Sequence, residues 1–253
     1  MKGHRLLVGL VLLLMLMSRP ALGLTIDAFT DGDFTLSLMA NNVFPHTPPP
    51  PVSLNTTGVS MIDSDRDVTL TMASGTFSSS DAEVDNSGAS GSLAGWVVWT
   101  EGDNIRGTLQ LLYDGAAGSI TNGINDFTDA GASKQFLIGF NNDHPLDVTI
   151  EVWTGQDGGG ETAATASVTK NFALAASFVG IFPFAEFTVQ DPNLDLTDVD
   201  KLLYTFDSTP APNGGGDYAL EFLESGTIPE PVTVAGLLIG LSTLAGYVRR
   251  RAR

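Results

Sequence analysis

Aspartates at alternate positions are the first residues here whose type and spacing could do chemistry. Asp63, Asp65 and Asp67 stand at positions 1, 3 and 5 of a run with Ser64 and Arg66 between them. Calcium takes about six to eight hard oxygen ligands, and alternate carboxylates can supply several of them. An EF-hand also requires Gly at position 6 and Glu at position 12. Val68 occupies position 6 and no Glu stands at position 12, so an EF-hand is excluded and only a looser calcium loop is left. Asp191, Asn193 and Asp195 repeat the spacing and fail in the same way, with Leu196 and Leu202 in those places. Asp31, Asp33 and Asp217 could instead hold calcium between the first and last strands of a sandwich. Calcium is therefore the one cofactor suggested, and turn aspartates that accept their own backbone N–H groups are the competing explanation.

Other chemistry is less well marked. Glycoside hydrolysis needs two carboxylates roughly 5–10 Å apart. Glu101, Glu151, Glu186 and Glu221 are available, but no motif singles out a pair. His46 lies beside a proline run and His144 precedes Pro145. There is no HExxH, GxSxG or phosphate-binding loop. Cysteine is absent, which removes disulfides, thiolate metal sites and a Cys nucleophile. A non-enzyme is expected. Trp96, Trp99 and Trp153 are candidate sugar platforms, because an aromatic face suits the C–H patches of a pyranose, and core packing is their alternative role. Trp96 and Trp99 differ by three, which puts them on opposite faces of a regular strand. Asn55-Thr56-Thr57 has the form of a glycosylation sequon and reads as loop.

The elements that must position these groups read as strands. Short β-rich runs recur between Gly, Asp, Asn and Pro clusters: 68–72, 93–99, 108–113, 135–140, 146–153, 163–170, 181–189, 201–206 and 218–223. Several alternate strictly, as in Asp147-Val148-Thr149-Ile150-Glu151-Val152-Trp153. Sustained helical spacing is missing, and residues 173–178 fit either a strand or a helical turn. Many short strands separated by turn residues predict an all-β fold, a β-sandwich of jelly-roll type. The run Pro45–Pro51 must be extended and cannot enter a central strand. Pro210–Gly216 reads as a hairpin loop before the last strand.

Charge and hydropathy divide the chain into three. Residues 24–228 hold 28 of the 29 acids and five basic residues, a formal net charge of −23. Such a field repels nucleic acid and anionic lipid, and favours cations or neutral partners. Residues 1–23 begin with Lys2 and Arg5, continue through twelve apolar residues from Leu6 to Met17, and end in Ala21-Leu22-Gly23. This is the pattern of a signal peptide cut before Leu24 by signal peptidase. Twelve helical residues rise only about 18 Å, against a hydrocarbon core of about 30 Å. At the other end, Pro229-Glu230-Pro231 precedes seventeen uncharged residues, Val232–Val248, and then Arg249, Arg250, Arg251 and Arg253. Seventeen residues reach the lower limit for a membrane span, and the arginines should stay in the cytoplasm. Prolines bias the residues before them towards extended geometry, so the Pro-Glu-Pro strip stays outside the helix.

Pro229-Glu230-Pro231, the apolar segment and the arginine cluster together resemble the PEP-CTERM sorting signal. That resemblance implies recognition by exosortase, a membrane-embedded cysteine transpeptidase of Gram-negative bacteria. It further implies an inner-membrane-anchored precursor whose body is later moved to the cell surface or the exopolysaccharide matrix. The body resembles, more loosely, jelly-roll domains found with such tails, through residues 66–70, 111–115 and 182–192. In that group such a domain looks like a carbohydrate-binding sandwich. The expected organisation is a signal peptide at 1–23, a β-sandwich body at 24–228 and a sorting signal at 229–253. The leading functional expectation is a non-enzymatic structural or adhesive protein of the surface or biofilm matrix. A carbohydrate-binding module for exopolysaccharide is the alternative, and a secreted polysaccharide hydrolase the third reading.

Overall fold

The computed structural model describes residues 24–39, 49–58, 61–74, 81–85, 95–102, 105–115, 126–155, 162–173, 178–211 and 215–227. The predicted signal peptide, the whole Pro-Glu-Pro tail with its arginines, and His46 lie outside the described residues.

Alternating hydropathy makes the strands. In Arg106–Tyr113 (β7), Leu109, Leu111 and Tyr113 are fully buried, while the residues between them are half-buried on the other face. Leu146–Thr154 (β9) and Val199–Asp207 (β12) show the same period of two. These strands lie in one antiparallel sheet of six, completed by Val52–Thr57 (β3), Asp65–Ser74 (β4) and Ala164–Phe172 (β10). Its order is β10-β9-β12-β7-β4-β3. The second sheet contains Thr35–Met39 (β2), Asp81–Asp85 (β5), Val97–Glu101 (β6), Gln135–Asn142 (β8), Phe178–Pro183 (β11) and Asp217–Gly226 (β13). Its order is β11-β8-β13-β6-β5-β2, and Thr25–Asp27 (β1) pairs with β13 beyond the end of β6. Apart from three hairpins, β3–β4, β5–β6 and β9–β10, the chain changes sheet at the connections from β2 onward. This is an all-β sandwich with jelly-roll-like winding.

The inner faces meet in one core. Val148, Ile150, Val152, Leu202 and Phe206 come from the six-stranded sheet; Ile138, Phe136, Trp99 and Leu223 come from the other. Phe136 is ringed by Phe127, Phe184 and Phe187 with centroids 4.9–5.5 Å away in edge-on geometry. Two of these rings explain a departure from the sequence expectation. Residues 181–189 were expected to be one strand, but β11 stops at Pro183 and Phe184–Thr188 form a short helix, α1. Phe182 and Phe184 suggest a period of two, whereas Phe184 and Phe187 are buried three apart, one helical turn.

Three other expectations are corrected. Trp96 precedes β6, after Gly95 with φ +83°, and is not a strand residue. Asn55-Thr56-Thr57 lies in β3 and not in a loop. The segment before β13 is an arch between sheets, since β12 and β13 belong to different ones. Residues 45–48 of the proline run lie outside the described residues; Pro51 immediately precedes β3, an edge strand, where a missing N–H costs no ladder bond.

Candidate functional site

The alternate aspartates do not form a loop. Ile62–Ser64 make a 3-10 turn, Ser64 has φ +58°, and the strand begins at Asp65. Strand alternation then sends Arg66 inward, fully buried. Arg66 Nη1 pairs with Asp27 Oδ2 of β1 at 2.5 Å, and its Nη2 donates to the Gly32 carbonyl at 2.9 Å. The guanidinium lies over the Phe29 and Phe34 rings, 5.6 and 4.8 Å from their centroids. Asp27 also accepts the Phe29 N–H and the Tyr113 hydroxyl, both at 2.8 Å. Burial pushes the Asp27 carboxyl up, and Arg66 with these two donors pulls it back. Burial first, then the Asp27 charge, also raises the Tyr113 phenol well above its ordinary range. The group is an internal tie between sheets.

Asp65 and Asp67 take the opposite face. Both accept hydrogen bonds from Asn55 Nδ2, at 2.7 and 2.8 Å. The other candidate ligands stay apart. Asp31 and Asp33 line a shallow depression beside β3, whereas Asp217 opens β13, where its N–H bonds to Asp143 Oδ1 at 2.7 Å. Asp191 and Asp195 accept the backbone N–H two residues on, as turn aspartates do. Among the described residues, no three His, Cys, Asp or Glu side chains gather closely enough to hold a metal ion.

The outer face of the six-stranded sheet assembles a different set. Register places Ser53, Thr69, Gln110, Thr205, Thr149 and Thr169 in one row across all six strands. Three adjacent pairs are hydrogen-bonded: Thr69 to Ser53 at 3.1 Å, Gln110 to Thr205 at 3.3 Å, and Thr149 to Thr169 at 2.8 Å. At a strand spacing of about 4.8 Å the row is about 24 Å long. The next row runs Asn55, Asp67, Leu112, Leu203, Glu151 and Ser167. A groove of about 340 Å³ opens where the two rows cross β3, β4, β7 and β12. Asn55, Asp67, Gln110 and Lys201 give it polar walls, and Leu54, Leu112 and Leu203 an apolar part. Lys201 Nζ stands over the Trp153 ring, 4.9 Å from its centroid. At the same end, the Asp114 carboxyl is raised by burial and by Asp67, against the pull of Lys201.

Of the three tryptophans, Trp153 alone stands at this face, half-buried and with one side taken by Lys201. Trp99 is 1% exposed and packs on Tyr218, centroids 4.7 Å apart, so its ring is closed to a sugar. Trp96 is half-buried ahead of β6, in the opposite sheet. The glutamates do not converge either. Glu101 is buried between the sheets, and Glu151 is on the outer face. Glu186 pairs with Lys170 at 3.0 Å from α1, and Glu221 is exposed on β13.

No protein-family model matches the chain, and no curated protein matches it. Solved structures resemble it only distantly. A family 11 carbohydrate-binding module from Clostridium thermocellum, in complex with a β-1,3-1,4-mixed-linked tetrasaccharide, is 11% identical. The match covers 77% of this chain and 98% of that one, with a TM-score of 0.34. A family 12 xyloglucanase from Bacillus licheniformis is 7% identical over 69% of this chain and 99% of its own, TM-score 0.34. PfGH50B matches 64% of this chain at 10% identity and TM-score 0.37, and the match spans only 23% of that protein. Likeness at this level says nothing of ligand or activity.

Gln110, Lys201 and the threonine row had no mark in the sequence. Outward polar residues at alternate positions are what any half-buried strand shows. Their convergence depends on the strand order β9-β12-β7-β4-β3, which joins segments up to about a hundred residues apart.

Proposed function

We propose that this chain is an exported polysaccharide-binding protein whose β-sandwich holds glycan on the outer face of the six-stranded sheet. The observation that carries the reading is the groove together with the row of hydroxyl and amide side chains running across it. Sugar hydroxyls both donate and accept, and Ser, Thr and amide side chains reciprocate in either sense. The leucines and the Trp153 edge offer apolar contact for C–H patches, the mixture that small-molecule sites use. Asp65, Asp67, Asp147, Glu151 and Asp207 outnumber Arg106 and Lys201 on this face, which favours neutral over anionic polymers. Under this reading the ends of the chain supply delivery. The N-terminal segment directs export, and the Pro229-Glu230-Pro231 tail presents the precursor to exosortase at the inner membrane for transfer to the surface or matrix. A structural role in the matrix then follows from glycan binding.

Affinity electrophoresis of the body (residues 24–228) through gels containing neutral β-glucan, xyloglucan or alginate tests the binding. The body should be retarded by a neutral polymer, and Gln110→Ala with Lys201→Ala should restore free mobility. Equal mobility in every gel would refute the reading.

A further inference from the structure

Glu101 ends β6 in one sheet and turns inward, 6% exposed. Its Oε1 lies 2.8 Å from the hydroxyl of Ser208, just beyond β12 in the other sheet. The Ser208 oxygen accepts the Gly107 N–H at 2.8 Å and stands 3.1 Å from the Gly107 carbonyl. A hydroxyl has one proton to give and two lone pairs to fill. The Gly107 carbonyl also accepts the Ser208 N–H at 3.0 Å, so the hydroxyl proton is free to go to Glu101 Oε1, the nearer of its two acceptors. Glu101 Oε1 thus has one donor, while Oε2 is buried and has no hydrogen-bond partner to offset a charge.

Burial raises the Glu101 carboxyl and outweighs the Ser208 hydroxyl and the Gly107 N–H, which both pull it down. Among the described residues, Arg106 on β7 is the one cation that pulls it down, and it belongs to the outer face. Asp207 on β12 adds a negative charge, Tyr218 on β13 is neutral, and Asp217 stands one strand across from Thr100. On β5, Ala82 is register-paired with Glu101, and Glu83 is the next residue along. Glu101 Oε2, the Tyr218 hydroxyl, Trp99 Nε1 and Asn142 Oδ1 are all buried without a hydrogen-bond partner. Tyr218 is paired in register with both Trp99 and Asn142, so these four atoms belong to one end of the same sheet.

We infer that Glu101 is a proton-held clasp between the two sheets, joined as a neutral acid to Ser208 and Gly107, and that losing its proton loosens this end of the sandwich. The titration agrees with the geometry: burial pushes the Glu101 carboxyl up to about 8. The sign follows from linkage. Between the ordinary glutamate range and about 8, the unfolded chain has released this proton while the folded chain still holds it. Stability therefore falls as pH rises through that window and levels off above it. The window is about three and a half units wide, so the folded-to-unfolded ratio should drop by up to roughly three thousandfold from this group alone.

Urea unfolding of the wild-type body and Glu101→Gln between about pH 5 and pH 9 reads this directly. The wild type should lose stability across the window, and the Gln variant should lack that component of the fall. Parallel curves would overturn the clasp. If the variant does not fold, the Glu101 carboxyl-carbon resonance of the wild type decides: a midpoint near 8 supports the inference, and one in the ordinary glutamate range refutes it. Amide exchange at Gly107 and Ser208 should lose protection once Glu101 ionises, and unchanged protection factors would also count against it.

Discussion

Arg66 on β4 and Asp27 on β1 form an ion pair inside the sandwich with neither side chain exposed. It ties the first strand and the segment that follows it to β4, next to the edge of the opposite sheet. Breaking one half of a buried pair leaves an uncompensated charge, which costs about 3–5 kcal/mol. Arg66→Met should therefore destabilise the body by that amount in chemical denaturation. Asp27→Asn combined with Arg66→Met should cost less than the two single changes added together, because no lone charge remains.

Gly107 is a second point of little tolerance. A Cβ there would lie 2.4 Å from the Thr71 carbonyl oxygen, a backbone atom of β4 that cannot step aside without the strand. Gly107→Ala should destabilise the body by about 1–3 kcal/mol as an overpacking change. A fall in the urea midpoint with an unchanged slope checks this.

Groove residues should separate binding from folding. Gln110 and Lys201 are half-buried on the outer face and stand outside the core. Gln110→Ala should weaken glycan binding by about tenfold, the equivalent of one lost net hydrogen bond of about 1–1.5 kcal/mol. Its melting temperature should stay within a degree or two of wild type. Isothermal titration beside a thermal melt reads both quantities.

The proposed processing of the tail can be tested apart from the body. Replacing Pro229 and Pro231 by Ala removes the bias towards extended backbone ahead of the apolar segment. The anchored precursor should then accumulate in the inner-membrane fraction while the body still folds. Immunoblotting of fractionated cells measures it, and normal processing of the variant would remove the sorting role.

Most of the central strands were legible from alternation, as in Asp147–Trp153, because one face must be apolar and the other wet. β1, β2, β3 and β5 were not, and each is six residues or fewer. β3 is mostly polar, with Val52 and Leu54 its only apolar residues, since an edge strand buries little. Asp65-Arg66-Asp67 misled for a related reason: the sequence shows three charges in a row, while the strand sends the middle one into the core. The threonine row was invisible because it exists only after pairing. Glu101 could be named in advance, but its pairing with Ser208 crosses 107 positions and two sheets.

The central claim is that the outer face of the six-stranded sheet holds a neutral polysaccharide. Chemical-shift mapping of the labelled body during titration with a neutral β-glucan oligosaccharide tests it most directly. The account predicts the largest shifts at Thr69, Gln110, Lys201, Thr205 and the Trp153 indole, with residues of β8, β11 and β13 unmoved. Shifts confined to the other sheet, or absent for every neutral glycan tried, would contradict it.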